Sequence, residues 1–221
     1  MYSDGRRRGR RLAPDGGQVT DVAGDERADE QVILVADDDV DLAVTIKLWL
    51  QEEYTIEMAH DGSEALEVYG PHVDVILLDR RMPTMSGDET LEQFRERGVT
   101  APIAMMTAVD PEWDVAELDL DTYLRKPVRR ENVVDAVDGL VQRAAFPEDD
   151  LRRAFAIGSK LRVLQRNYTA EELFENEQTR QLGLEFQEIH DRTDAGRDTL
   201  DDEMRAEFDR LRAIVDEICD G

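Results

Sequence analysis

The chain has 221 residues, 52 acidic against 27 basic side chains, a net charge of −25 and a pI near 4.4, which disfavours nonspecific attraction to nucleic acid or anionic membrane. Hydrophobic residues make up 41%, enough for a core, so global disorder is excluded, and the length suits one or two domains. The single Cys219 excludes an intrachain disulfide framework, and no apolar run approaches the roughly 18 residues of a transmembrane helix.

Only three lysines (Lys47, Lys126, Lys160) stand against 24 arginines. A chain rich in Asp and Glu and poor in Lys resembles the proteins of salt-in halophiles, where a Debye length of about 3 Å at 1 M salt screens self-repulsion. The alternative is an acidic mesophile protein. Residues 1–30 carry "RRRGRR" and few large apolar residues, and are expected to form a disordered tail. No apolar segment follows the arginines, so no secretory or twin-arginine signal is expected, and the protein is expected to be cytoplasmic.

From Gln31 short apolar runs recur. They are "VILVA" (32–36), "YTIEMA" (54–59), "VDVILL" (73–78), "PIAMM" (102–106) and "TYL" (122–124). Helical patterns alternate with them at 42–53, 63–70, 87–98 and 130–144. The segment 110–121 holds at most two or three helical turns. Strands alternating with helices predict a parallel sheet covered on both faces, and consecutive apolar positions suit strands buried on both sides. After "FPEDD" (146–150) no strand signal remains. Ile157, Leu161, Leu164 and Tyr168 form one helical stripe. Leu182, Phe186 and Ile189 form a second. Leu200, Met204, Phe208, Leu211, Val215 and Ile218 form a third, capped by Thr199 with Asp202. The turn between the last two is expected at 191–198. Such stripes predict a bundle or coiled coil.

Ligands of an open parallel sheet bind beyond the carboxyl ends of its strands. The first strand is followed by Asp37 and Asp38, the third by Asp79, the fourth by Thr107 and the fifth by Lys126. Each alone reads equally well as a cap or a loop residue. Together they bring three acids, a hydroxyl and a lysine to one edge. His60, His72 and His190 are dispersed without usable metal-ligand spacing, Trp49 and Trp113 read as packing residues, and Cys219 as inert.

On these residues, 31–143 resembles a response-regulator receiver domain of the CheY-like, flavodoxin-like class. The resemblance implies a doubly wound five-stranded parallel sheet over residues 31–145. It matches Asp37 and Asp38 to the acidic pair, and Asp79, followed by "MPTMSG", to the phosphoacceptor. Thr107, Lys126 and Tyr123 match the hydroxyl, the lysine and the switch aromatic, and the family typically has a cis peptide before Pro127. It also implies Mg²⁺, with Asp38 and Asp79 as ligands, Asp37 acting mostly through water, and the Arg81 backbone carbonyl adding another. Asp79 would be the nucleophile toward a phosphoryl group supplied by a sensor histidine kinase. Thr107 would follow the phosphoryl group and Tyr123 would rotate inward, biasing a two-state equilibrium. Such a protein regulates rather than turns over substrate.

Two departures stand out. Arg81 is a large cation two residues after Asp79, and its side chain is expected to alter loss of the phosphate. "TAVDPEWDVAELDLDTYLRKP" lacks the usual "GA" before "DYL" and shortens the fourth helix, as in receivers of haloarchaeal HalX-containing regulators. Residues 150–221 resemble a HalX module, an all-helical C-terminal domain. Residues 31–150 hold 28 acids and 10 bases, and residues 151–221 hold 17 and 11. With no basic recognition helix, direct nucleic-acid binding is not supported. Self-association through the receiver or the C-terminal helices is open, and no membrane partner is expected. Two alternatives are a HAD-type phosphohydrolase using Asp37 and Asp39, and a receiver fold serving as an unphosphorylated scaffold. The first leaves Asp79 without a role and lacks a later strand to carry more acids.

Overall fold

A computed structural model describes residues 31–109, 113–144, 149–192 and 200–219. The expected tail lies outside them.

Five strands, β1 (Val32–Ala36), β2 (Thr55–Ala59), β3 (Val75–Asp79), β4 (Ile103–Thr107) and β5 (Thr122–Arg125), form one parallel sheet in the order β2-β1-β3-β4-β5. Every residue of β3 and of β4 is buried, as the continuous apolar runs require. Side-chain alternation divides these strands between two cores. Ile33, Val35, Val75, Leu77, Ala104, Met106 and Leu124 pack on one face with α1 (Val40–Leu50) and α4 (Arg130–Ala144). Leu34, Ala36, Ile76, Leu78, Ile103, Met105 and Tyr123 pack on the other with α2 (Gly62–Val68) and α3 (Gly87–Glu96).

Element boundaries depart from the sequence pattern by local chemistry. Helix α1 starts two residues early because the Asp39 carboxylate accepts from Leu42 N–H at 3.1 Å. It stops at Leu50, before Glu52 and Glu53, whose charges oppose the negative end of the helix dipole. Strand β3 runs to Asp79 itself, so this acid stands on the last rung, paired with Met106 of β4. Within 110–121 the described helix is a single 3₁₀ turn, Trp113–Ala116.

The C-terminal region is all-helical, with α5 (Asp149–Leu164), α6 (Ala170–Glu175), α7 (Glu177–Arg192) and α8 (Asp202–Cys219). The three apolar stripes meet in its core, where Phe155 and Phe186 lie 5.4 and 5.5 Å from Phe208. Helix α5 ends at Leu164, so Tyr168 leaves the stripe and stacks on Trp113 instead. Helix α6 is an unforeseen separate piece. Its capping box, Thr169 with Glu172, was readable in "TAEE". Thr199 lies outside the described residues; Asp201 accepts from Met204 N–H at 2.8 Å at the start of α8.

These helices are not a separate body. Helix α5 packs over β5 and the 3₁₀ turn, and one apolar cluster runs from the sheet into the bundle. Among the described residues no helix is long and apolar enough to cross a membrane.

Candidate phosphoacceptor site

The acids arrive from two adjacent strands. Beyond β1, Asp37 N–H continues the ladder to the Ala59 carbonyl, and Asp37 Oδ1 accepts from Asp39 N–H at 3.0 Å. That bond fixes the Asp37 carboxylate, which is fully buried, while Asp38 is exposed. Asp79 closes β3 and is 4% exposed. Asp37, Asp38 and Asp79 each place a carboxylate oxygen within 4.8 Å of the others. Asp39 is engaged in capping α1 and stands outside this group.

Lys126 comes from beyond β5. Its backbone N–H donates to the Thr107 carbonyl at 2.7 Å, its bond to Pro127 is cis, and its Nζ lies 2.7 Å from Asp37 Oδ2 and 2.8 Å from Asp79 Oδ1. Burial pushes the Asp37 and Asp79 carboxyls up from their ordinary range, with Lys126 partly offsetting it; Asp37 pushes Asp79 further up. Burial alone would pull the Lys126 ammonium down, but its bonds to Asp37 and Asp79 outweigh that and hold it above its usual value. One ammonium cannot neutralise three carboxylates. The donor set, hard oxygens grouped on a rigid strand edge, fits a divalent cation such as Mg²⁺.

Thr107 ends β4 beside Lys126 and is 1% exposed. Its Oγ1 accepts from Val109 N–H at 3.1 Å, which leaves its own proton for another acceptor. Tyr123 is already buried, at 7% exposure, because α5 lies over β5; its hydroxyl donates to the Val109 carbonyl at 3.4 Å. Arg81 is exposed in the loop after β3.

That loop returns tightly over the site. Thr84 adopts φ +70°, and Gly87 N–H donates to the Arg80 carbonyl at 2.8 Å. A Cβ at Gly87 would sit 2.2 Å from the Asp79 carbonyl oxygen, so only glycine lets α3 begin there. Sequence reasoning passed over Arg80. Its guanidinium bonds Asp88 at 3.0–3.2 Å and also pairs with Asp114 of the 3₁₀ turn. Nothing in "DRRMP" says which arginine turns inward.

Residues 33–138 match the response regulator receiver domain and residues 142–211 the HalX domain. A putative transcriptional regulator of Haloferax volcanii is 48% identical over 136 residues, which are 61% of this chain and 23% of that protein. The transcriptional regulatory protein CpxR of Escherichia coli K12 is 35% identical over 120 residues, 52% of this chain and 51% of that one. A solved receiver domain of a Francisella response regulator is 30% identical, with a TM-score of 0.48 over 52% of this chain and 98% of that one. The chain thus spans about a quarter of the first relative and about half of the second. With its five-stranded parallel sheet and its helical C-terminal region, the chain carries a response regulator receiver domain over residues 33–138 and a HalX domain over residues 142–211.

Proposed function

We propose that this protein accepts a phosphoryl group on Asp79 from a sensor histidine kinase, in a Mg²⁺-dependent reaction, and that the acyl phosphate switches the helical module. The reading treats residues 31–145 as the receiver and 150–221 as the module. The observation that carries it is Asp79 at the buried end of β3, 2.8 Å from Lys126 Nζ and grouped with Asp37 and Asp38. An Asp79 carboxylate oxygen forms the new bond to phosphorus as the bond from phosphorus to the donor nitrogen breaks, and the leaving imidazole takes up a proton. Lys126 offsets charge on the transferring oxygens, and the Thr107 hydroxyl donates to a phosphoryl oxygen. Asp37, Asp38, Asp79 and the Arg81 carbonyl would hold Mg²⁺, which supplies further charge neutralisation.

The name of the Haloferax relative supports transcriptional control as the output. The net charge of −25 favours action through a protein partner over direct duplex contact. The phosphohydrolase alternative would need Asp39 as a working acid, and its carboxylate caps α1.

The test is incubation of the full chain with acetyl phosphate and Mg²⁺ in molar KCl, beside Asp79→Asn. A mass gain of one phosphoryl group that the variant lacks is expected. No gain in the parent favours the scaffold. Turnover of p-nitrophenyl phosphate that survives Asp79→Asn but not Asp37→Asn favours the phosphohydrolase.

A further inference from the structure

Arg80 closes the loop after Asp79 twice, once with its backbone and once with its side chain. Its N–H donates to the Met106 carbonyl at 2.8 Å, which extends the ladder to β4, and its carbonyl accepts from Gly87 N–H at 2.8 Å across the loop. The side chain, 14% exposed, bridges the same two ends. Nε lies 3.1 and 3.2 Å from the two Asp88 carboxylate oxygens, and Nη2 lies 3.0 Å from Asp88 Oδ2 and also pairs with Asp114. Both backbone polar groups of Arg80 are thus bonded, and its guanidinium is held from α3 and from the 3₁₀ turn. On the other side of Arg81, Met82 is buried in the core. Arg81 is therefore one exposed residue between two anchored neighbours, and the planar peptides it shares with them have little freedom to turn.

On the reading that Asp79 and the Arg81 carbonyl belong to a Mg²⁺ site, we infer that Arg80 and Asp88 are positioning residues for that ion: their grip fixes the loop that presents the Arg81 carbonyl. The Asp79 carboxylate has a side-chain partner of its own in Lys126, whereas the Arg81 carbonyl is loop backbone and depends on how the loop is closed. A bidentate guanidinium–carboxylate pair sets direction as well as distance, which the single backbone bond from Gly87 does not. Near-octahedral Mg²⁺ coordination tolerates little displacement of a ligand, so a loosened loop weakens binding. Neither residue reaches the ion or the reacting group, because the guanidinium is engaged by Asp88 and Asp114 and the Asp88 carboxylate by Arg80. The contribution belongs to the class of outer partners that orient metal ligands, whose loss weakens metal affinity by about 10- to 100-fold.

Loss of the grip and a change of local field can be told apart by sign. Arg80→Gln removes a cation, which through the field alone would tighten a divalent ion, and Arg80→Lys keeps the charge while losing the fork. The full chain and its variants are titrated with MgCl₂ by calorimetry in molar KCl, with Asp38→Asn/Asp79→Asn as the blank for the acidic surface, and urea unfolding is followed alongside. Arg80→Lys, Arg80→Gln and Asp88→Ala are each expected to bind Mg²⁺ about 10- to 100-fold more weakly than the parent. Glu92→Ala, which removes an exposed acid from the same helix, should bind like the parent. Asp88 is 38% exposed, so Asp88→Ala keeps the test open if the Arg80 variants do not fold. An Arg80 variant that folds and binds Mg²⁺ as tightly as the parent or tighter overturns the inference, whether or not its urea midpoint falls, and so does a Glu92→Ala chain weakened as much as Asp88→Ala. A parent that binds no more tightly than the blank overturns the Mg²⁺ reading itself, and the positioning role with it.

Discussion

Lys160 offers a stability test with a definite sign. It is 2% exposed within α5, and its ammonium donates to the Leu118 carbonyl. Burial first, and the Arg153 guanidinium second, pull its pKa down from 10.5 to about 8. In the unfolded chain Lys160 keeps its proton up to its ordinary value. Between the two values the unfolded state therefore binds more protons than the folded one, and stability rises with pH across that window. Below about pH 8 the folded state bears the full cost of a buried charge. At about 1.36 kcal/mol per pKa unit the whole window is worth roughly 3 kcal/mol, and about 2 kcal/mol of it is recovered between pH 7 and 9.5. Tyr54 sets the upper limit of the assay. Burial and its 2.7 Å bond to Asp138 push its hydroxyl up, so it withdraws stability above about pH 10. The comparison is urea unfolding of the parent and of Lys160→Met at pH 7 and 9.5, in fixed high salt. The parent should gain about 2 kcal/mol and Lys160→Met none. A parent that gains nothing, or a methionine variant that gains as much, would refute the assignment of this window to Lys160.

Three further outcomes are expected. A Cβ at Gly158 would meet Leu211 Cβ at 2.8 Å, an atom fixed to its own backbone, whereas a Cβ at Gly183 meets the Cys219 sulfur, which can rotate away. Gly158→Ala should therefore cost about 1 kcal/mol net, overpacking of 1–3 kcal/mol less a helix gain near 1, while Gly183→Ala should be neutral or stabilising in thermal unfolding. With a net charge of −25, the melting temperature should climb as KCl is raised from about 0.1 M to above 1 M, where the Debye length falls from roughly 10 Å to 3 Å; a flat response would contradict self-repulsion as the main salt-sensitive term. Arg81→Ala should change the lifetime of the phosphorylated protein, read as loss of the added mass with time, and an unchanged lifetime would remove any screening role for that side chain.

What could be read in advance was written in short-range chemistry. The five apolar runs carry the period and length of buried strands, so both the sheet and the edge where the acids converge were legible. Asp39 followed the rule that an acid at a helix start caps it, and this separated it from Asp37 and Asp38. The capping box at Thr169 was equally legible and was overlooked. The inward turn of Arg80 was not, because two adjacent arginines in a loop carry no period from which to infer direction.

The sequence by itself thus determined the sheet, the strand ends and the residue types that gather there, since each depends on neighbours a few positions apart. Only the tertiary structure decided that α5 lies over β5 and buries Tyr123, that Tyr168 leaves its helical stripe to stack on Trp113, and that Lys160 sits inside the joint. The apolar stripes of α5, α7 and α8 look alike when read along the chain. Which of them covers the shortened crossover depends on the shapes of two surfaces brought together from distant parts of the sequence.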